Sequence, residues 1–275
     1  MSRAEPILEL DNVSISFGGL RALDGVSLRV TPGQVTSLIG PNGAGKTTVF
    51  NIICGLLAPS SGDVRFRGRS LLGLPPHRIA LEGIGRTFQD PRVFKQLSVL
   101  DNVLLGMPGQ PGERLLPAIL WPRAMREDLA QRVERARAIL AEIGLLERAN
   151  ELAGNLSYGQ QRFLSLARVM AMDAPLLLMD EPSVGLHEGE IRQLQRQILR
   201  LVREQGRTVL LIEHNMDVVM SISEQIILLV QGRVVAAGPP LDMQRNPTLL
   251  VAYLGSAYKA PSPIPTSPPE LPHGA

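Results

Sequence analysis

Residues 40–47 read Gly-Pro-Asn-Gly-Ala-Gly-Lys-Thr, which fits the pattern G-x-x-x-x-G-K-[ST]. No other stretch limits the possible folds of this chain so tightly. Glycines at these spacings let consecutive backbone N–H groups turn inward as a nest for phosphate oxygens. A helix starting at the same point adds the positive end of its dipole. The loop therefore needs a strand before it and a helix after it. The chain supplies both, in the apolar run Gln34 to Ile39 and a helical pattern from Thr47 to Leu57. Gly40, Asn42, Gly43, Ala44, Gly45, Lys46 and Thr47 are thus candidate phosphate-binding residues. Lys46 suits the terminal phosphates and the Thr47 hydroxyl suits Mg²⁺. A chance glycine turn is the competing reading, and the flanking strand and helix speak against it.

The rest of the chain fits an α/β frame. Short apolar runs at Pro175–Met179, Thr208–Ile212 and Gln225–Val230 read as buried parallel strands, alternating with helical patterns at Ser157–Met172 and Glu188–Glu204. Ile7–Phe17 and Val26–Val30 read as hairpin-like strands. Arg123–Asn150, dense in Arg, Glu and Ala, reads as a helical subdomain inserted between two halves of the α/β core. From Ser256 to Ala275 six of twenty residues are proline, so this tail is expected to remain disordered.

Composition removes several function classes. The 28 basic and 26 acidic side chains leave a formal charge of +2, which gives no electrostatic basis for nucleic-acid binding or a polybasic membrane anchor. A single cysteine, Cys54, excludes an intrachain disulfide framework and fits a reducing compartment. The charge-free run Thr47–Gly62 has 16 residues, broken by Pro59, Ser60 and Ser61, and falls short of the roughly 18 apolar residues of a membrane span. The first residues show no apolar signal core.

A second chemical feature is the apolar strand Leu176–Met179, which ends abruptly in Asp180 and Glu181. In α/β sheets ligands sit beyond the carboxyl ends of strands, which brings both acids toward the phosphate loop. Asp180 suits a Mg²⁺ contact and Glu181 could polarise an attacking water. The bland alternative is a pair of acids favouring a helix start. His214 follows another apolar strand, within Leu-Ile-Glu-His-Asn, and is read as either a structural hydrogen-bonding residue or a member of the same edge.

The run Leu156-Ser157-Tyr158-Gly159-Gln160-Gln161-Arg162, with Ser157 23 residues before Asp180, resembles the signature motif of ATP-binding cassette (ABC) ATPases. Taken in order with the phosphate loop, the Asp-Glu strand and His214, the resemblance covers about residues 5–255. It implies a P-loop NTPase cassette with a RecA-like core, an N-terminal antiparallel β subdomain and an inserted helical subdomain at about 90–172. It also implies roles. Phe17 would stack on adenine, and Gly43, Gly45, Lys46, Thr47 and Thr48 would hold phosphates. Gln89 would contact Mg²⁺ or the water and report on the transport partner. Asp180 would support Mg²⁺, Glu181 would be the catalytic base and His214 would touch the γ-phosphate. Ser157 and Gly159, with Gln160 beside them, would reach across a head-to-tail dimer to ATP held by a second cassette.

Two positions depart from the commonest family pattern. Tyr158 stands where glycine is usual, and His187, in the D-loop, stands where many cassettes carry aspartate. A narrower likeness is carried by Gly83–Gln89, Asn155–Arg162 and Ala252–Gly255, which resemble the ATPase subunits of branched-chain amino-acid importers. Urea and short-amide importers share much of this pattern. The resemblance implies ATP and Mg²⁺, a second cassette that is a paralogue or an identical copy, and separate transmembrane permease subunits. A solute-binding protein would act indirectly, and the chain would sit at the cytoplasmic face of the membrane. Val93, Phe94 and their neighbours would either receive a permease helix or simply pack in the core. A P-loop phosphotransferase and a non-transport cassette acting on DNA or ribosomes are the competing classes. The Glu181 base and the signature run argue against the first. The single cassette, with Lys46 and Asp180 134 residues apart, argues against the second.

Overall fold

A computed structural model describes residues 5–87, 89–109, 122–247 and 249. The tail 256–275, the Ala252–Gly255 run and Phe88 lie outside the described residues. Two sheets organise the chain. The first is antiparallel, in the order β2-β1-β4-β5, from β1 (Leu8–Phe17), β2 (Leu20–Val30), β4 (Ser61–Phe66) and β5 (Arg69–Ser70). The hairpin-like pair expected at the N-terminus is its β1–β2 ladder, with Leu8 opposite Val30 and Phe17 opposite Leu20. The second sheet runs β10-β9-β3-β8-β7-β6, from β3 (Val35–Ile39), β6 (Ile84–Arg86), β7 (Leu176–Asp180), β8 (Thr208–Ile212), β9 (Gln225–Val230) and β10 (Arg233–Gly238). Its five strands from β9 to β6 are parallel, and β10 closes one edge antiparallel.

Parallel strands covered on both faces show little alternation between apolar and polar residues, yet their side chains still alternate in direction. Leu176, Leu178, Leu210 and Ile212 pack with the antiparallel sheet and α1 (Lys46–Ile53). Leu177, Met179, Val209 and Leu211 face the opposite way. They pack with α3 (Val99–Gly106), α4 (Pro122–Glu142), α5 (Tyr158–Ala171) and α6 (Glu188–Arg203). Helices α3 to α5 lie in sequence between β6 and β7 and form the inserted helical layer. Three short helices, α2 (Pro76–Glu82), α7 (Met216–Ile222) and α8 (Pro240–Gln244), complete the described α-helices.

One helix ends earlier than the sequence pattern implies. The α1 helix stops at Ile53 rather than Leu57 because Gly55 takes φ +69° and both Leu56 and Leu57 donate back to the Asn51 carbonyl. The α4 helix stops at Glu142. Gly144 at φ +75° reverses the chain, and only a short 3-10 turn at Leu146–Arg148 follows.

Candidate active site

The phosphate loop joins β3 to α1, and its glycines are fixed by what surrounds them. Gly45, at φ +105°, is the N-cap of α1. A Cβ there would come within 2.6 Å of Leu23 Cδ2 and 2.8 Å of the Ala22 carbonyl. At Gly40 a Cβ would lie 2.0 Å from the Leu229 carbonyl of β9, so only glycine lets the loop leave the sheet there. The loop is also tied to the β9–β10 turn, where Gly232 N–H donates to the Ala44 carbonyl at 3.0 Å.

Lys46 opens α1 and folds back over this loop. Its Nζ donates to the carbonyls of Gly40 at 2.8 Å and Pro41 at 3.0 Å, and the residue is buried. Burial holds its ammonium below the ordinary lysine range, with Glu181 and Asp180 pulling the other way. The exposed Asn42, Gly43 and Thr47, and the half-buried Thr48, leave this side of the loop accessible.

The two acids at the end of β7 are sent to different places by backbone conformation. Asp180 keeps the strand geometry and stays buried, with its Oδ2 accepting from Arg86 Nη2 at 3.1 Å. Burial raises the Asp180 carboxyl above its ordinary value, and the Arg86 hydrogen bond and charge oppose that rise. Arg86 also donates to Asn51 Oδ1 at 2.8 Å and lies over the Phe50 ring, which ties the acid to α1. Glu181 takes φ +47°, an uncommon left-handed conformation for a non-glycine residue. Its carboxylate is bracketed. Gln89 Nε2 donates to Oε2 at 2.9 Å and His214 Nε2 lies 2.7 Å from Oε1.

One cleft brings these parts together. It is lined by Asn42 through Thr48, by Glu181 and His214, by Leu20 to Ala22 at the start of β2, and by Gln231 of the β9–β10 turn. Phe17 ends β1, is 46% exposed, and pairs in register with Leu20 of this lining. Ser157, Gly159 and Gln160 are not among the residues lining the cleft. They form the start of α5, where a reciprocal capping box has Gln160 N–H donating to Ser157 Oγ at 3.3 Å and Ser157 N–H donating to Gln160 Oε1 at 3.0 Å.

The two unusual positions lie close to each other around the start of α5. Arg162 donates to the Tyr158 hydroxyl at 2.9 Å and to the Val184 carbonyl at 3.1 Å. The Tyr158 ring also fills the space beside Gly185, where a Cβ would meet its Cε1 at 2.6 Å. His187 caps α6, with its N–H donating to Glu190 at 2.9 Å, and the same Glu190 carboxylate covers Gly159.

Arg86 and Glu213 escaped the reading of the sequence. Glu213 is the charged residue between an apolar strand and His214, and a carboxylate ending such a strand is the signal that marks it. Val93 and Phe94 line an apolar groove with Leu56, Ile79, Leu105 and Met172, and Arg168 sits 4.8 Å over the Phe94 ring. Phe94 is half exposed there, so it is not a closed core residue.

The family model described as "ABC transporter" matches residues 23–184. The chain is 44% identical over 257 residues to the high-affinity branched-chain amino acid transport ATP-binding protein BraF of Pseudomonas aeruginosa, covering 94% of this chain and 100% of the relative. Among solved structures it is similar to the ADP conformation of MJ1267, an ATP-binding cassette of an ABC transporter. The TM-score is 0.78 and the identity 32%, with 92% of this chain and 100% of that chain covered. It is also similar to the dimeric post-hydrolysis state of the cassette MJ0796 bound to ADP and Pi. That match has a TM-score of 0.70 and 28% identity, and covers 85% of this chain and 98% of that one.

Proposed function

This chain belongs to the ABC transporter family as an ATP-hydrolysing cassette, and we propose that it powers import of branched-chain amino acids through separate permease subunits. The cassette is assigned to residues 5–255, with its helical subdomain at about 90–172. The observation that carries the mechanism is the Glu181 carboxylate, held between Gln89 and His214 at the mouth of the phosphate loop.

In this reading Phe17 stacks on the base, and the nest of Gly40 to Thr48 holds the phosphates. Lys46 exchanges its loop carbonyls for phosphate oxygens. Glu181 accepts the proton of the attacking water, and His214 supports both that carboxylate and the γ-phosphate. The oxygen donors at hand, the Thr47 hydroxyl and the Asp180 carboxylate with Gln89 nearby, fit a hard divalent cation such as Mg²⁺. Among the described residues no group of three His, Cys, Asp or Glu side chains is placed to ligate a metal, so phosphate and water would complete its shell. Bound there, Mg²⁺ would neutralise developing charge on the phosphates.

Ser157, Gly159 and Gln160 act on nucleotide held by a second cassette, a paralogue or an identical copy, in a head-to-tail dimer. Their position away from the chain's own cleft supports this reading. The Val93–Phe94 groove receives a permease helix. No helix among the described residues is long and apolar enough to cross a membrane, so attachment to the cytoplasmic face of the membrane rests on those permeases. A solute-binding protein delivers the substrate to them.

Reconstitution of the complex that co-purifies with this chain tests the proposal. Phosphate release from MgATP, stimulated by branched-chain amino acid with its binding protein, is expected. Stimulation by urea or short amides instead would reassign the solute, and phosphate transfer to an acceptor without release to water would remove the hydrolase reading.

A further inference from the structure

Glu213 is fully buried, and among the described residues no arginine or lysine pairs with it. Its partners are three backbone N–H groups from two loops. Oε1 accepts from Ser183 N–H at 2.9 Å, in the loop after β7. Oε2 accepts from His214 N–H at 2.8 Å and Asn215 N–H at 3.1 Å, in the loop after β8. One oxygen is thus committed to the loop that follows Glu181 and the other to the loop that carries His214.

These two loops begin where the sheet ladder ends. The last pairing of β7 with β8 is Asp180 opposite Ile212, followed by a single bond from Glu181 N–H to the Ile212 carbonyl. Beyond it nothing in the ladder holds the chains in register, yet Glu181 must keep its left-handed backbone and its carboxylate must meet His214. Such a conformation persists only where its surroundings over-determine it.

We propose that Glu213 is a positioning residue for ATP hydrolysis, its carboxylate clamping the loop of Glu181 to the loop of His214 and so setting the contact between them. This rests on the reading of Glu181 and His214 as the hydrolytic pair. The clamp demands an acceptor on both sides. An amide of the same shape has one accepting oxygen, and its NH₂ would face either the Ser183 N–H or the His214 and Asn215 pair, donor against donor.

The discriminating variant is therefore Glu213→Gln in the full chain, assayed for MgATP turnover, nucleotide affinity and thermal midpoint. A fall in kcat of about tenfold to a hundredfold is expected, the scale of a misplaced catalytic group, with KM within about threefold of wild type because the phosphate loop is untouched. Glu213→Asp, with both acceptors one methylene short, is expected to recover part of the rate. In a His214→Ala background Glu213→Gln is expected to cost less than about twofold more, since coupled residues are not additive. Wild-type kcat in Glu213→Gln overturns the proposal, as does a full additional loss in the His214→Ala background. Should the Gln variant not fold, the Asp variant decides, and wild-type kcat there overturns the proposal as well. Glu181→Gln assayed in parallel separates the two readings. If it turns over normally the site assignment fails, whereas if it is inactive while Glu213→Gln is normal only the clamp fails.

Discussion

Glu181 Oε1 and His214 Nε2 lie 2.7 Å apart across the ends of two neighbouring parallel strands, β7 and β8. The two residues are 33 positions apart in the chain, and only the sheet order brings them together. Their contact is closed on the other side by Gln89, and in the proposed mechanism it would define where a water is activated relative to the phosphate loop.

Glu181→Gln removes the proposed proton acceptor while preserving a side chain that Gln89 and His214 can still approach. Nucleotide affinity is expected to stay within about threefold, and turnover to fall by about a hundredfold or more, the usual scale of general-base loss. Steady-state phosphate release with parallel nucleotide titration checks both halves, and wild-type-like turnover would remove Glu181 from the mechanism.

Lys46→Ala deletes the side chain that closes over the Gly40 and Pro41 carbonyls. Binding itself is expected to weaken by about tenfold or more, because the buried cation proposed to pair with phosphate is lost. A fluorescent ATP analogue titrated against both proteins provides the measurement.

Gly40→Ala places a methyl group against the Leu229 carbonyl, backbone against backbone, where neither side can rotate away. The expected cost is about 1–3 kcal/mol or more, typical of overpacking, with loss of nucleotide binding. A denaturant titration giving wild-type stability would contradict the close approach.

Asp180 titrates above its ordinary value because burial penalises its charge. A raised carboxylate contributes stability that is full below the unfolded value, about 3.9, and that is lost as pH rises through the higher folded value. Asp180→Asn removes this loss and leaves Arg86 an acceptor. Measured in chelator, its thermal midpoint is expected to equal wild type at low pH and to rise relative to it by pH 7. Hydrolysis is expected to disappear. A variant less stable than wild type at pH 7 would show that the Arg86 ion pair outweighs burial.

Phe94→Ala is expected to leave phosphate release by the cassette pair, assayed without permeases, within about twofold, since the groove is separate from the cleft. Co-purification with permease subunits is expected to fall sharply, as a half-exposed aromatic is the usual anchor of such a groove. Retained co-purification would return Phe94 to a packing role.

How much was legible follows from which interactions are local. The phosphate loop, the strand ending in Asp180 and Glu181, and the buried parallel strands could be read because each is a short run with its own periodicity or turn chemistry. Ser157 announces the start of α5 because a capping box spans only four residues. Edge and short strands such as β5, β6 and β10 carried no such signal, since their pairing partners, not their own residues, make them strands. The tertiary structure alone decided that Arg86 reaches Asp180 across 94 positions. It also set Tyr158 against Gly185, and buried Glu213 on three amides from two loops. Residue type sets what chemistry a loop can do, and a few positions of sequence suffice to show it. Which loops meet is set by sheet order and by the packing of the two faces, and those are properties of the whole chain.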